Sequence, residues 1–126
     1  MPYVANVSEA KALVGQLVGN GQCVTFIHAV TAAPASSFWQ QGAKVKGATG
    51  IAPGTVIATF DPNGSYGNHQ DGRSHAAIYL SQSNLGIRVL DQWKGHTTQP
   101  VHERVIAFRN GVGVKVNDGD QFYVVK

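Results

Sequence analysis

A chain of 126 residues, 43% apolar and 13% charged, has the size of one ordinary domain and enough hydrophobicity to bury a core, which excludes a disordered chain. Its formal net charge of +3 comes from basic residues scattered along the sequence, without the concentrated stripe of a nucleic-acid binder. The single cysteine excludes an intrachain disulfide and a multi-cysteine zinc site, and no apolar run approaches the length of a membrane span.

The first segment reads as a helix, with Ser8 as N-cap and Ala10, Leu13, Val14, Leu17 and Val18 at helical spacing on one face. It has no basic segment followed by a long apolar core, so we expect a protein made in the bacterial cytoplasm without a signal peptide. Gly19-Asn20-Gly21 supplies a helix stop, since Gly and Asn tolerate the left-handed conformation of a helix end. A second helix is expected from Gln22-Cys23 toward His28 or Val30, and a short third helical turn over residues 36–41, closed by Gly42. From residue 50 the character changes. Pro53-Gly54 marks a turn, and residues 55–60 are rich in β-branched and aromatic side chains. A polar loop, residues 61–74, separates that strand from a second at residues 75–80. A third is expected at 86–91, with others at 104–108 and 121–125. Helices followed by a strand meander predict an α+β fold with a mainly antiparallel sheet, as one domain spanning residues 1–126.

Cys23 stands where the second helix is expected to begin. There the unpaired N–H groups and the positive end of the helix dipole favour a thiolate. The same N–H groups can donate to an oxyanion formed at a peptide carbonyl. His75 opens an apolar strand directly after a loop, and Asp91 ends the next predicted strand, so pairing of the two strands brings them to the same edge. A nucleophile, a base and a base-orienting carboxylate from separate elements then meet in one place. The alternatives are a buried structural cysteine, a surface His75 at a strand end, and an Asp91 that caps a turn.

Gly21-Gln22-Cys23-Val24, residues 53–57, Ser74-His75-Ala76-Ala77-Ile78-Tyr79 and Leu90-Asp91-Gln92 follow one another in this order. Together they resemble the NlpC/P60 and CHAP superfamily of papain-like peptidoglycan amidases and endopeptidases. The resemblance covers residues 8 to 108. It implies a papain-like α+β fold, N-terminal helices packed on the sheet, Cys23 as nucleophile, His75 as base and Asp91 as orienter, with no metal or organic cofactor. Members of the superfamily often carry Glu, then Asn two residues later, where this chain has Asp91 and Trp93. They often carry a Tyr upstream of the cysteine, where this chain has Asn20 and Gln22. These two are therefore the candidates for substrate contact beside the sulfur.

The short chain, lone cysteine and absence of targeting modules further resemble the small amidase effectors of type VI secretion, the third family above all. That resemblance implies a peptidoglycan peptide substrate, cut at the meso-diaminopimelate to D-alanine cross-link in the periplasm of target cells. It also implies a cognate immunity protein as partner, with no nucleic-acid partner and no membrane insertion. A phage or housekeeping hydrolase of the same fold, and a catalytically inactive papain-like binding module, are the rival readings.

His69, in the long loop, reads as a solvated histidine, with an alternative base or a substrate contact as the sharper option. His28 lies five residues after Cys23, on the wrong helix face for a partner, and reads as structural. His96 and His102 flank a polar turn containing Pro100 and show no metal-ligand spacing, so no zinc site is expected. Phe38 and Trp39 read as core or groove residues, and Trp93 as a cleft wall. The loop at 61–74 is long for a compact domain, which suits another wall of the cleft and a contact for an inhibitor.

Overall fold

The computed structural model describes residues 2–95 and 97–126, so His96 lies outside the described residues. The first helix, α1, is Val7–Lys11 only, and its cap is Asn6 rather than Ser8: the Glu9 N–H donates to Asn6 Oδ1 at 3.0 Å. The apolar spacing that continues to Val18 does not make more helix, because tertiary hydrogen bonds claim this backbone. Gly15 N–H donates to the Val101 carbonyl at 2.8 Å and Val101 N–H to the Gln16 carbonyl at 2.9 Å, sideways bonds that a helix cannot offer. Val14 and Leu17, placed on the buried face by their spacing, are 48% and 43% exposed.

The second helix, α2, is Cys23–Val30, as its sequence predicts. The turn before it depends on glycine: Gly19 and Gly21 have φ of +56° and +86°, and a Cβ on Gly19 would meet Thr25 Cγ2 at 2.5 Å. A short 3₁₀ turn at Ser36–Phe38 replaces the third helical turn. Gly42, expected to close that turn, lies inside the strand β1, Gln41–Lys44. This strand is an edge addition that passes close to the Val124 carbonyl, 2.6 Å from where a Gly42 Cβ would stand.

The remaining strands are β2 (Val56–Thr59), β3 (Ala76–Gln82), β4 (Gly86–Trp93), β5 (Gln99–Ala107) and β6 (Phe122–Val125). They form a six-stranded antiparallel sheet in the order β1-β6-β2-β3-β4-β5. Side chains alternate across it. Val56, Ala58, Ala76, Ile78 and Leu90 face a core that includes Phe26 and Ile27 of α2. Ile57, Ala77, Ile87, Val89, Ile106 and Phe122 fill a second core on the other face. Burial on both faces explains why β2 and the start of β3 read as continuous apolar runs rather than alternating ones. The helix α2 packs against β3 and β4; His75 immediately precedes β3 and Asp91 lies on β4. Among the described residues no helix is long and apolar enough to cross a membrane.

Candidate active site

The strand pairing builds the site. The register Ile78↔Leu90, continued toward the start of β3, sets His75 across from Trp93, with Asp91 on the diagonal of the same face. His75 and Asp91 are both buried. His75 Nε2 bonds Asp91 Oδ2 at 2.7 Å, and the ring lines the same cleft as Cys23, close enough for the two to couple electrostatically. Cys23, the first residue of α2, is half-buried. Its sulfur lies 3.6 Å from Tyr66 Oη. Three separate segments thus deliver Cys23 and the bonded His75–Asp91 pair to one cleft edge.

The groups around these residues hold them in place. Arg104 Nε and Nη2 both reach Asp91 Oδ2, each at 2.9 Å. Asp91 Oδ1 accepts no hydrogen bond among the described residues, although His102 Nδ1 is 3.6 Å away. That nitrogen lies 3.1 Å from each of the Asp91 and Pro100 carbonyls, and because carbonyls only accept, it carries the proton. Trp93 packs edge-on to His75 with ring centroids 6.2 Å apart, and the Arg104 guanidinium lies 4.9 Å from its ring centre. Phe122 meets the His75 ring at 90°. The imidazole is fixed by apolar contacts at its edges and by polar contacts at its nitrogens.

Electrostatics favour the charged pair. Burial alone would raise the Cys23 thiol pKa, but the hydrogen bond and charge of His75, then Tyr66 and the Ala76 amide, outweigh it and bring the thiol below its ordinary value. Burial would lower the His75 pKa. The hydrogen bonds to Asp91 and to Cys23, followed by the charges of both, raise it to about 9. Asp91 is held below the usual carboxylate range: burial pushes it up, while His75 and then Arg104 bring it down further. Tyr66 is pushed well above a phenol's ordinary range by burial and then by the charge of Cys23, so it stays protonated as a donor.

The sulfur opens into a cleft of about 430 Å³ lined by Gln22, Tyr66, His69, His75 and Trp93 among others. Three of the four predicted substrate contacts, Gln22, His69 and Trp93, therefore line the cleft. Asn20 does not. Its Oδ1 accepts from the Gln22 N–H at 3.0 Å and from Thr25 Oγ1 at 2.6 Å, so this side chain ties the turn before α2 to the helix. His69 bonds Asp61 Oδ2 at 2.9 Å on the loop wall, away from the His75–Asp91 pair. His28, whose Nε2 lies 3.0 Å from the Pro34 carbonyl, packs near Trp39, which in turn meets the Tyr66 ring at a tilt of 54°. Phe38 is exposed and joins neither core. Among the described residues no group of three His, Cys, Asp or Glu side chains is arranged to hold a metal ion.

Sequence reasoning missed Tyr66, Arg104 and Gln92. Gln92 is buried and bonds the backbone at Val18 and Gln22. A signal for it was present: Asp91-Gln92 places two polar residues together inside an apolar strand, where each needs a buried partner. Tyr66 carried a weaker one, as the only aromatic in a long polar loop.

The proteins this chain is similar to are amidase effectors. It is 49% identical to the Type VI secretion amidase effector 2 protein of Salmonella typhi over 102 residues, which is 79% of this chain and 74% of that protein. It is 38% identical to Domesticated amidase effector 2 of Ixodes scapularis over 90 residues, 70% of this chain and 56% of that protein. The solved structure of Type 6 secretion amidase effector 2 (Tae2) superposes with a TM-score of 0.79 at 39% identity, covering 94% of this chain and 91% of that one. The model of the family Domesticated amidase effector 2 matches residues 2–125, and the chain belongs to that family. These relatives are numbered two, where the sequence reading pointed to a third amidase effector family. That reading rested on chain length, the lone cysteine and absent modules, none of which distinguishes one effector family's residues from another's.

Proposed function

We propose that this protein is a cysteine amidase of papain-like, NlpC/P60 type that cleaves peptidoglycan peptide, with Cys23 as nucleophile, His75 as acid and base, and Asp91 as the carboxylate that orients His75. The observation that carries the reading is Cys23 together with the buried His75–Asp91 pair, bonded at 2.7 Å, at the edge of an open cleft. Relatives named as amidase effectors support the reaction class.

The Cys23 thiolate adds to the amide carbonyl, and the carbonyl electron pair moves to oxygen. The oxyanion meets the Cys23 N–H, which as the first amide of α2 has no partner within the helix. The phenol of Tyr66, 3.6 Å from the sulfur, is a second donor within reach of the reacting atoms. His75, as imidazolium, gives its proton to the leaving nitrogen; the C–N bond breaks and a thioester remains on Cys23. Neutral His75 then takes a proton from water, whose oxygen attacks the thioester and releases the acid and free Cys23. Asp91, held by Arg104, keeps the imidazole in the orientation and tautomer these steps need.

The amide between meso-diaminopimelate and D-alanine in the cross-link is the bond we assign. The biological setting is delivery by type VI secretion into the periplasm of a target cell, with a cognate immunity protein that covers the cleft between the 61–74 loop and Trp93. The test is digestion of purified sacculi followed by identification of the fragments. Wild-type protein should convert cross-linked dimers to monomers, and protein alkylated at Cys23 should release nothing. Unchanged sacculi with the wild type, or equal release after alkylation, would overturn the proposal.

A further inference from the structure

Gln92 follows Asp91 on β4, and strand alternation sends the two side chains to opposite faces. Asp91 meets His75, while Gln92 turns toward the segment that leads into α2. Its amide makes three hydrogen bonds to that segment, using both of its N–H donors. Oε1 accepts from Val18 N–H at 2.8 Å, and Nε2 donates to the Val18 carbonyl at 2.9 Å and to the Gln22 carbonyl at 2.8 Å. The side chain is fully buried, so no water competes for these groups.

The bond to Gln22 matters for chemistry one atom further on. The Gln22–Cys23 peptide is trans and planar, so its carbonyl and its N–H point in opposite directions. Fixing the carbonyl fixes the direction of the Cys23 N–H. The helix itself holds this plane loosely: the Gln22 carbonyl accepts from Thr25 and Phe26 N–H at 3.2 and 3.4 Å, both longer than the bond from Gln92.

We infer that Gln92 is a positioning residue that, by gripping the Gln22 carbonyl, aims the Cys23 N–H at the oxyanion. This rests on the cysteine amidase reading above. It makes β4 the common support of both halves of the reaction, since Asp91 orients the base and Gln92 orients the electrophile's donor. The thiolate–imidazolium pair does not pass through Gln92, so the two effects separate in experiment.

Gln92→Met keeps the volume and removes the hydrogen bonds. It should lower kcat on a cross-linked peptide by about 10- to 1,000-fold, the upper end being the cost of losing one oxyanion donor, with KM little changed. Alkylation of Cys23 by iodoacetamide passes through no oxyanion, so its rate and pH profile should stay as in the wild type. A peptide aldehyde, whose adduct carries the tetrahedral oxygen, should lose affinity in step with kcat. Gln92→Glu, kept neutral by burial, retains an acceptor for Val18 N–H and one donor for two carbonyls, and should fall between wild type and Gln92→Met; it serves as well if the methionine variant does not fold. A kcat within two-fold of wild type in both variants, or an alkylation profile displaced together with kcat, overturns the inference while leaving the amidase reading intact. A wild type that alkylates normally yet hydrolyses no peptide overturns both.

Discussion

Cys23 is shifted down and His75 is shifted up to about 9, and the proposed mechanism makes this pair the source of the pH response. On the proposed mechanism the active form is the thiolate–imidazolium pair, which exists above the lowered thiol pKa and below that of His75. A plot of kcat/KM against pH should therefore hold a broad plateau and fall on the basic side near 9, both limbs belonging to the coupled pair. Asp91→Asn removes charge and hydrogen-bond strength from His75, so its basic limb should move to lower pH; an unmoved limb would contradict the Asp91–His75 coupling. The same shift enters stability. His75, raised from 6.5, contributes its full stabilisation below pH 6.5 and loses it as pH climbs through about 9. Asp91, depressed, contributes above its ordinary value of 3.8 and loses the contribution as pH falls through its lowered one. Among histidines, His75→Ala should cut turnover by about 1,000-fold or more, as loss of one member of a concerted unit does. Asp91→Asn should cost less, because proton transfer survives. His69→Ala should leave kcat near wild type, since its ring is engaged by Asp61. Steady-state kinetics of the three variants decides this, and a dead His69→Ala beside an active His75→Ala would reverse the assignment.

At the scale of elements, the site depends on how α2 is seated. Phe26 lies fully buried between α2 and the sheet, so Phe26→Ala should cost about 3–5 kcal/mol in a denaturant titration. Gly19→Ala combines a positive φ with the 2.5 Å approach of Thr25 Cγ2, and should both destabilise the fold by about 1–3 kcal/mol and slow hydrolysis. A Gly19→Ala protein with wild-type stability would show the turn to be less constrained than its geometry requires. The elements also show what a sequence can reveal. Runs such as Val56-Ile57-Ala58-Thr59 are legible because β-branched and apolar residues between turn signals fit a sheet buried on both faces. The strand β1 was not, because Gln41-Gly42-Ala43-Lys44 has no strand-forming composition and exists through pairing with β6. The first helix was overextended for a related reason: periodicity at Leu13 to Val18 does not disclose that Val101 will claim the backbone at Gly15 and Gln16. The convergence of Cys23, His75 and Asp91 was legible because each sits at or near an element end, in sequence order. Tyr66 and Gln92 act across 43 and 70 residues of chain, a relation that local pattern does not contain.

For the whole molecule, the open cleft and its loop wall lead to a prediction about cells. An amidase whose substrate lies in the periplasm should be harmless when expressed in the cytoplasm of a Gram-negative host and toxic when given an export signal. Co-expression of an exported antidote that covers the cleft should restore growth. Substitutions such as Arg73→Glu on the exposed loop should weaken that antidote more than they weaken the fold, since Asp71 and Arg73 contact mainly each other and loop-tip changes rarely destabilise by much. Equal toxicity in both compartments, or none in either, would remove support for the effector setting and leave the chemistry standing. The proposed chemistry rests on one sulfur atom. Cys23→Ala removes that atom from a half-buried position and should fold with nearly wild-type thermal stability. The most direct measurement is kcat/KM of this variant on purified cross-linked muropeptide, beside the wild type in the same preparation. The account predicts a folded protein whose activity is lost by at least ~1,000-fold; a folded Cys23→Ala protein that cleaves at a rate near wild type would contradict it.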